Sequence, residues 1–299
     1  MQAGVAEQVA KGIRRILAPN PSAMTGPGTN TYILGHGAGV IVVDPGPAEE
    51  QHLAAILATL DPSERVTAIL VTHAHKDHSA AAPRLSALTA APVFAFGDAL
   101  AGRSPLMQRL ADSGFVGGGE GVDLSFRPDR QLTDGEGLIC GDGLLRVIHT
   151  PGHMGGHICL GFGDVLLSGD HAMGWASSLI SPPDGDMAAY MASLDRLLTR
   201  RWSLMLPGHG PAVTEVAARL QALSDHRRAR EAEVMAVLRA APATPADLTR
   251  RIYHDIPAGL HAAATRNVLA HLIDLAARNA VICRDLPGPD TIFTRSDPL

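Results

Sequence analysis

Six consecutive residues, His73-Ala74-His75-Lys76-Asp77-His78, set three imidazoles and a carboxylate side by side. The run before them, Val66 to Val71, is short, apolar and continuous, and reads as a buried strand. The cluster therefore lies where a strand ends and a loop opens, a usual place for reactive groups on a rigid scaffold. His73 and His75 are two apart, so in extended backbone they project to the same side. Mixed nitrogen and oxygen donors of this kind suit a borderline ion such as Zn²⁺. Four donors exceed what one catalytic ion with an open position takes, which points to two metals sharing a site.

Further donors follow other strand-like runs. His153 comes in Thr150-Pro151-Gly152-His153 after the apolar stretch Leu144 to Ile148, Asp170 comes in Ser168-Gly169-Asp170-His171, and His209 comes in Pro207-Gly208-His209. Glycine and proline beside each of them allow the sharp turns that bring a side chain back toward a common point.

With intervals of about 75, 17 and 39 residues between His78, His153, Asp170 and His209, the set resembles that of the metallo-β-lactamase-fold hydrolases across roughly the first 215 residues. The resemblance implies an α/β architecture, a four-layer αβ/βα sandwich with metals at one edge. By matched position, His73, His75 and His153 would hold the first metal. Asp77, His78 and His209 would hold the second, and Asp170 would bridge them. Asp44, in Val43-Asp44-Pro45, matches an aspartate that orients a ligand, and His157 matches a supporting histidine. Met154 stands where the family often carries Thr or Ser, a departure that removes no ligand.

The chemistry expected of such a cluster is hydrolysis. Two Zn²⁺ ions, or iron or manganese in the same mixed donor set, bring a bridging water to hydroxide near neutral pH and polarise the substrate oxygen. Asp77 and Asp170 are the catalytic candidates, positioning that nucleophile and handling its proton.

The chain has 14 histidines, so some must be ordinary. His36, His52, His226, His254 and His261 have no ligand context and read as surface or core residues, as does His149 within its strand. His171 neighbours a ligand without being counted as one. Apolar residues make up 46% and charged residues 18% of the 299, which excludes a disordered chain and suits one large domain with a small one. No apolar stretch approaches the ~20 residues of a membrane span. Met1 to Pro19 has no contiguous apolar segment of the kind an export signal carries. Cys140, Cys159 and Cys283 are odd in number and far apart, which fits reduced thiols and a cytoplasmic protein.

Thr29–Leu34 and Val40–Val43 read as a hairpin that opens the fold, Glu49–Leu60 as an amphipathic helix, and a second short helical run follows at Pro83–Leu88. Gly97–Arg130 reads as an irregular, glycine-rich insertion near the site. Trp175–Asp186 reads as a loop before a helix at Met187–Leu198. Beyond residue 215 the pattern is helix (Thr214–Leu238), helix (Pro245–Ile252, with Thr244 as N-cap), helix (Ala263–Asn279), then a strand pair. That is a winged-helix order. The expected division is thus a hydrolase domain at 1–215 and a winged-helix-like domain at 216–299. The tail, with Gly28–Tyr32 and Asp186–Leu194, resembles the β-lactamase-like protein 2 branch of the superfamily, whose endoribonuclease activity implies single-stranded RNA as the leading substrate class.

Charge moderates that reading. Residues 215–299 hold 11 Arg against 10 acids, and the whole chain carries a net −5, whereas a duplex-binding module normally shows a basic excess. The tail therefore reads as a cap over the site or a homodimer element rather than a DNA reader. Small-molecule hydrolysis, of a thioester as in glyoxalase II or of a lactone, is the alternative to RNA. A metal-sensing DNA-binding regulator without catalysis ranks below both.

Overall fold

The computed structural model describes residues 1–37, 39–115, 117 and 121–296. The chain opens with β1 (Ala6–Ala10), β2 (Ile13–Leu17), β3 (Asn30–Leu34) and β4 (Val40–Val43), followed by α1 (Glu50–Thr59) and β5 (Val66–Leu70). Next come the one-turn α2 (Lys76–Ser79), α3 (Ala82–Thr89), β6 (Val93–Ala95), α4 (Pro105–Asp112) and β7 (Arg130–Gln131). A second series follows: β8 (Gly137–Cys140), β9 (Gly143–His149), β10 (Ile158–Phe162), β11 (Val165–Gly169), α5 (Met187–Leu198) and β12 (Leu204–Pro207). The tail holds α6 (Val216–Ala240), α7 (Pro245–Ile252), α8 (His261–Ala277), β13 (Val281–Ile282) and β14 (Thr294–Arg295).

Alternation along the strands decides the layering. In β4, Val40 and Val42 face a cluster with Leu53 and Ile56 of α1 and Leu85 of α3. Ile41 and Val43, turned the other way, meet Leu145, Val147 and Leu160 of the second series. In that series Cys159, Leu166 and Met205 point outward against Leu194 of α5 and Leu220 of α6. Residues at alternate positions thus bury both faces of each sheet, as strands with continuous apolar runs do. The result is helix, sheet, sheet, helix, the four-layer sandwich expected. Each fully buried aliphatic side chain contributes about 1.5–3 kcal/mol to it.

β1 to β7 form one sheet in sequence order, and β12-β11-β10-β9-β8 form the other. β4, β5, β6 and β7 run parallel. β9 and β11 both pair antiparallel with β10, and β12 runs parallel to β11. The carboxyl ends of β4 and β5 in one sheet, and of β9, β11 and β12 in the other, carry the residues singled out above.

Two expectations need correction. The fold opens on β1 and β2, not on the hairpin of β3 and β4. Arginines hide the β2 signal: Arg14 is paired with Glu64 at 2.8 Å, and Arg15 with Glu7. Gly97–Arg130 is not wholly irregular either, because it contains α4. Ser104 caps α4 by accepting from Met107 N–H at 3.3 Å. Met107 and Leu110 of α4 pack into the tail's core with Val234, Leu272 and Phe293. Within Gly117–Gly119, residues 118 and 119 lie outside the described residues.

The tail follows the helix-helix-helix-hairpin order, and α6 belongs to both parts. Leu220 and Leu223 pack on the sandwich, while Val234 and Leu238 pack on the tail. Thr244 forms a full capping box at α7: its hydroxyl accepts from Asp247 N–H, and Asp247 Oδ2 accepts from Thr244 N–H, both at 3.2 Å. Thr244→Ala should therefore lower stability by about 1 kcal/mol, read as a shift in the urea unfolding midpoint at unchanged slope.

Candidate metal centre

The two sheets bring seven donors to one edge. His73 and His75 leave β5, and Asp77 and His78 lie on α2 immediately after them. His153 follows β9, Asp170 follows β11 and His209 follows β12. Glycine makes the approach tight enough. A Cβ on Gly208 would come within 2.3 Å of Asp170 Oδ1, and one on Gly169, at φ +48°, within 2.6 Å of His157 Nε2.

Three ring nitrogens form one corner. His75 Nδ1 stands 2.9 Å from His73 Nε2 and 3.1 Å from His153 Nε2. A second corner holds His78 Nε2, His209 Nε2 and Asp77 Oδ2, separated by 3.2–3.5 Å. Asp170 lies between them. Its Oδ2 is 4.0 Å from His73 Nε2, 3.8 Å from His153 Nε2 and 3.3 Å from His209 Nε2, and its Oδ1 is 3.4 Å from His78 Nε2. Two donors on a tetrahedral Zn²⁺ stand roughly 3.3 Å apart, so both corners have the scale of a coordination sphere. Three overlapping groups here have the donor geometry to take a metal ion: His73 with His75 and His153, His73 with His78 and Asp170, and Asp77 with His78 and His209.

Hydrogen bonds on the far side of four of the five rings fix which nitrogen turns inward. His153 Nδ1–H donates to the Leu179 carbonyl at 2.7 Å, and His209 Nδ1–H to the Gly28 carbonyl at 3.1 Å. His78 Nδ1–H donates to Asp44 Oδ2 at 2.9 Å. The Thr72 hydroxyl donates to the same Asp44 oxygen at 2.8 Å, so at 3.0 Å its oxygen must accept from His73 Nδ1–H. Each of these four histidines therefore turns Nε2 inward as the atom free to ligate, as metal-bound imidazoles do. Asp170 Oδ1 is buried with no hydrogen-bond partner among the described residues. Converging lone pairs and an unpartnered buried carboxylate oxygen are what a cation resolves, and the residues present fit one.

Asp44 and His157 act one layer out. Asp44 also accepts from Thr72 N–H at 2.7 Å, and adopts φ 50°, a left-handed conformation that Asp tolerates. His157 Nε2 accepts from Asp170 N–H at 3.2 Å while its Nδ1–H donates to Thr150 Oγ1 at 3.0 Å, locking the backbone that carries Asp170. Thr72 and the carbonyls of Gly28 and Leu179 were not foreseen.

Electrostatics split the cluster. Burial, with neighbouring imidazoles, holds His73 far below the usual range and pushes His75 down to about 3; burial also lowers His153. Burial would lower His78 and His209 too, but Asp170 and Asp77 outweigh it, raising His78 strongly and His209 to about 9. Burial likewise opposes ionisation of Asp77 and Asp170, and the facing imidazoliums of His78 and His209 overcome it. In the metal-free chain the first corner is thus neutral and ready for an ion, and the second holds its charge balance with protons.

Above these donors opens a cavity of about 360 Å³, with His75, Asp77, His153, Asp170 and His209 at one end. Met24, Trp175, Tyr253, Ile256 and Leu260 contribute to its walls. The tail thus lines the site. His226, expected to be an ordinary residue, lines the same cavity.

The family described as the metallo-beta-lactamase superfamily matches residues 24–209, and that described as the beta-lactamase associated winged helix domain matches residues 244–285. The chain is 29% identical over 278 residues to a beta-lactamase-like protein 2 homolog of Drosophila melanogaster, covering 90% of this chain and 89% of that one. It is 27% identical over 238 residues to an atrochrysone carboxyl ACP thioesterase of Aspergillus chevalieri, covering 78% of this chain and 68% of that one. A beta-lactamase domain protein from Burkholderia ambifaria superimposes with a TM-score of 0.80 at 24% identity, over 98% of this chain and 94% of that one, a likeness of fold.

Two outcomes follow from the geometry. Since His209 keeps its proton up to about pH 9 and a metal needs the bare Nε2, loading the second corner at pH 7 should release that proton. Affinity there should fall by up to ~10-fold per proton per pH unit below that value; calorimetry in two buffers of different ionisation enthalpy would expose the release, and its absence would contradict the arrangement. Asp44→Ala leaves three buried donors without an acceptor. It should destabilise the metal-free protein by about 3 kcal/mol or more and weaken metal binding ~10–100-fold, measured by denaturant unfolding and metal titration.

Proposed function

The chain belongs to the metallo-beta-lactamase superfamily and is related to the beta-lactamase-like protein 2 family, and from that premise we propose that it is a dinuclear-metal hydrolase of small esters, thioesters or lactones with an apolar acyl or aryl part. His73, His75 and His153 would hold one metal, Asp77, His78 and His209 the other, and Asp170 would serve both, with zinc as the expected ion and iron or manganese as alternatives. When bound, the metals supply Lewis-acid polarisation of the substrate oxygen and a water of lowered pKa. The chain's own residues do the rest. Asp77 lines the cavity, and its carboxylate can take a proton from the attacking water at the oxygen that does not face the His78 and His209 rings. Thr29 Oγ1 donates to Asp77 Oδ2 at 3.4 Å and helps set its direction. We assign the hydrolase part to residues 1–215 and the tail to 216–299, with α6 shared between their cores.

The observation that carries this reading is the junction of the donor cluster with walls of Met24, Trp175, Ile256 and Leu260. A mostly apolar enclosure with a few polar groups at one end suits a small molecule. A single-stranded nucleic acid calls for a positively charged groove along its backbone. Arg227, which lines the cavity, is buried and already engaged by the Ser178 carbonyl and Asn267. The match to an ACP thioesterase over 78% of the chain supports acyl chemistry. Single-stranded RNA is the second reading, favoured by the near full-length match to a beta-lactamase-like protein 2 homolog and by Trp175 and Tyr253, on which bases could stack.

A turnover panel of an acyl thioester, an aryl ester, a lactone, bis(p-nitrophenyl) phosphate and single-stranded RNA separates these. Thioester, ester or lactone turnover is expected to exceed phosphodiester turnover, and the reverse order would move the function to RNA. Asp170→Ala should lose activity by ~10³-fold or more and metal content with it, while circular dichroism stays that of the folded chain. Full turnover by that variant would end the dinuclear reading.

A further inference from the structure

The loop between β11 and α5 carries three consecutive residues that connect the tail to the metal cluster. The Leu179 carbonyl accepts from His153 Nδ1–H at 2.7 Å. One residue earlier, the Ser178 carbonyl accepts from Arg227 Nη2. One residue later, Ile180 N–H donates to Asn267 Oδ1 at 3.0 Å, and Arg227 Nη1 donates to that same oxygen at 3.3 Å. Arg227 belongs to α6 and Asn267 to α8. Ser178, Ile180 and Arg227 are all buried.

The covalent geometry of the chain makes this more than proximity. Leu179 C=O and Ile180 N–H are the two ends of one planar peptide unit. Asn267, by holding the N–H, fixes the direction of the carbonyl that His153 uses. Arg227 holds the preceding peptide unit through Ser178 C=O and steadies the Asn267 amide at the same time. Its guanidinium lies 5.3 Å from the Tyr190 ring centroid, so it is braced on that side too. Burying an arginine against a carbonyl is costly, and its hydrogen bonds to the Ser178 carbonyl and Asn267 converge on the segment behind His153.

We propose that Arg227 and Asn267 are positioning residues for His153, so that the tail sets the orientation of a first-corner donor through the Leu179–Ile180 peptide plane. The inference rests on the reading of His153 as a metal ligand. Without the Asn267 carbonyl the plane can rotate, Nδ1–H loses its fixed acceptor, and Nε2 is no longer aimed. The outer partners of metal-bound histidines typically contribute 10–100-fold to affinity, and a partner acting through one peptide unit belongs at the lower end, ~10-fold.

The test is Co²⁺ titration of the metal-free full chain, following the visible absorption band for both affinity and coordination geometry. Asn267→Leu and Arg227→Gln should weaken the first equivalent ~10-fold and alter the band. Asn267→Asp, which still accepts from Ile180 N–H and Arg227, should restore both. Arg219→Gln is the control. Arg219 clamps the same loop at the Met173 and Ala176 carbonyls, at 2.7 and 2.8 Å, away from Leu179, and its loss should leave the first equivalent unchanged. If Asn267→Leu does not fold, Asn267→Ser, too short to reach Ile180, carries the same test. Wild-type affinity and band in the Asn267 and Arg227 variants would overturn the proposal, as would an equal loss in Arg219→Gln. His153→Ala identifies the other failure: wild-type binding by that variant would remove the ligand assignment itself.

Discussion

Imidazole nitrogens with inward lone pairs, held about 3 Å apart in a buried setting, repel one another unless positive charge sits among them. That constraint organises the edge of the sandwich. It requires rigid backbone behind each donor, which the ends of β5, β9, β11 and β12 provide, and a committed acceptor for the outer nitrogen of His73, His78, His153 and His209. Asp44, Thr72, Gly28 and Leu179 are those acceptors. Remove the constraint and the burial of so many polar groups at one edge has no rationale.

The two corners meet that constraint differently. The corner of His73, His75 and His153 contains no carboxylate of its own and stays neutral. The corner of His78 and His209 is crowded by Asp77 and Asp170 and retains protons. An ion entering the first corner meets preformed lone pairs, whereas one entering the second must compete with hydrogen ions. Asp170 touches both, so filling one corner changes the field felt by the other. Burial of most of these groups strengthens the effects, because low-dielectric surroundings screen charge poorly.

Much of this was legible in the sequence because it rests on residue type and period. Histidine and aspartate after apolar runs, glycine at the turns, the hairpin of β3 and β4, α5 and the Thr244 cap all carry local signals. What stayed hidden depends on distant partners. Thr72 is an ordinary threonine until Asp44, 28 residues earlier in the chain, accepts a hydrogen bond from its hydroxyl. The Leu179 and Gly28 carbonyls belong to the backbone and leave no mark on side-chain identity. β2 was masked by arginines whose partners, Glu64 and Glu7, could not be assigned from spacing. His226 looked ordinary because only the packing of α6 across both parts of the molecule brings it to the cavity.

That packing of α6 has a mechanical consequence. One unbroken 25-residue helix contributes its first turns to the outer layer of the sandwich and its last turns to the tail's core. A rod embedded at both ends leaves no hinge between them, so the tail cannot swing open like a lid. Met24 and Trp175, which line the cavity and are exposed, mark where its wall meets solvent. The donor edge and its cover would be inherited as one piece, with neither exchangeable without rebuilding the other.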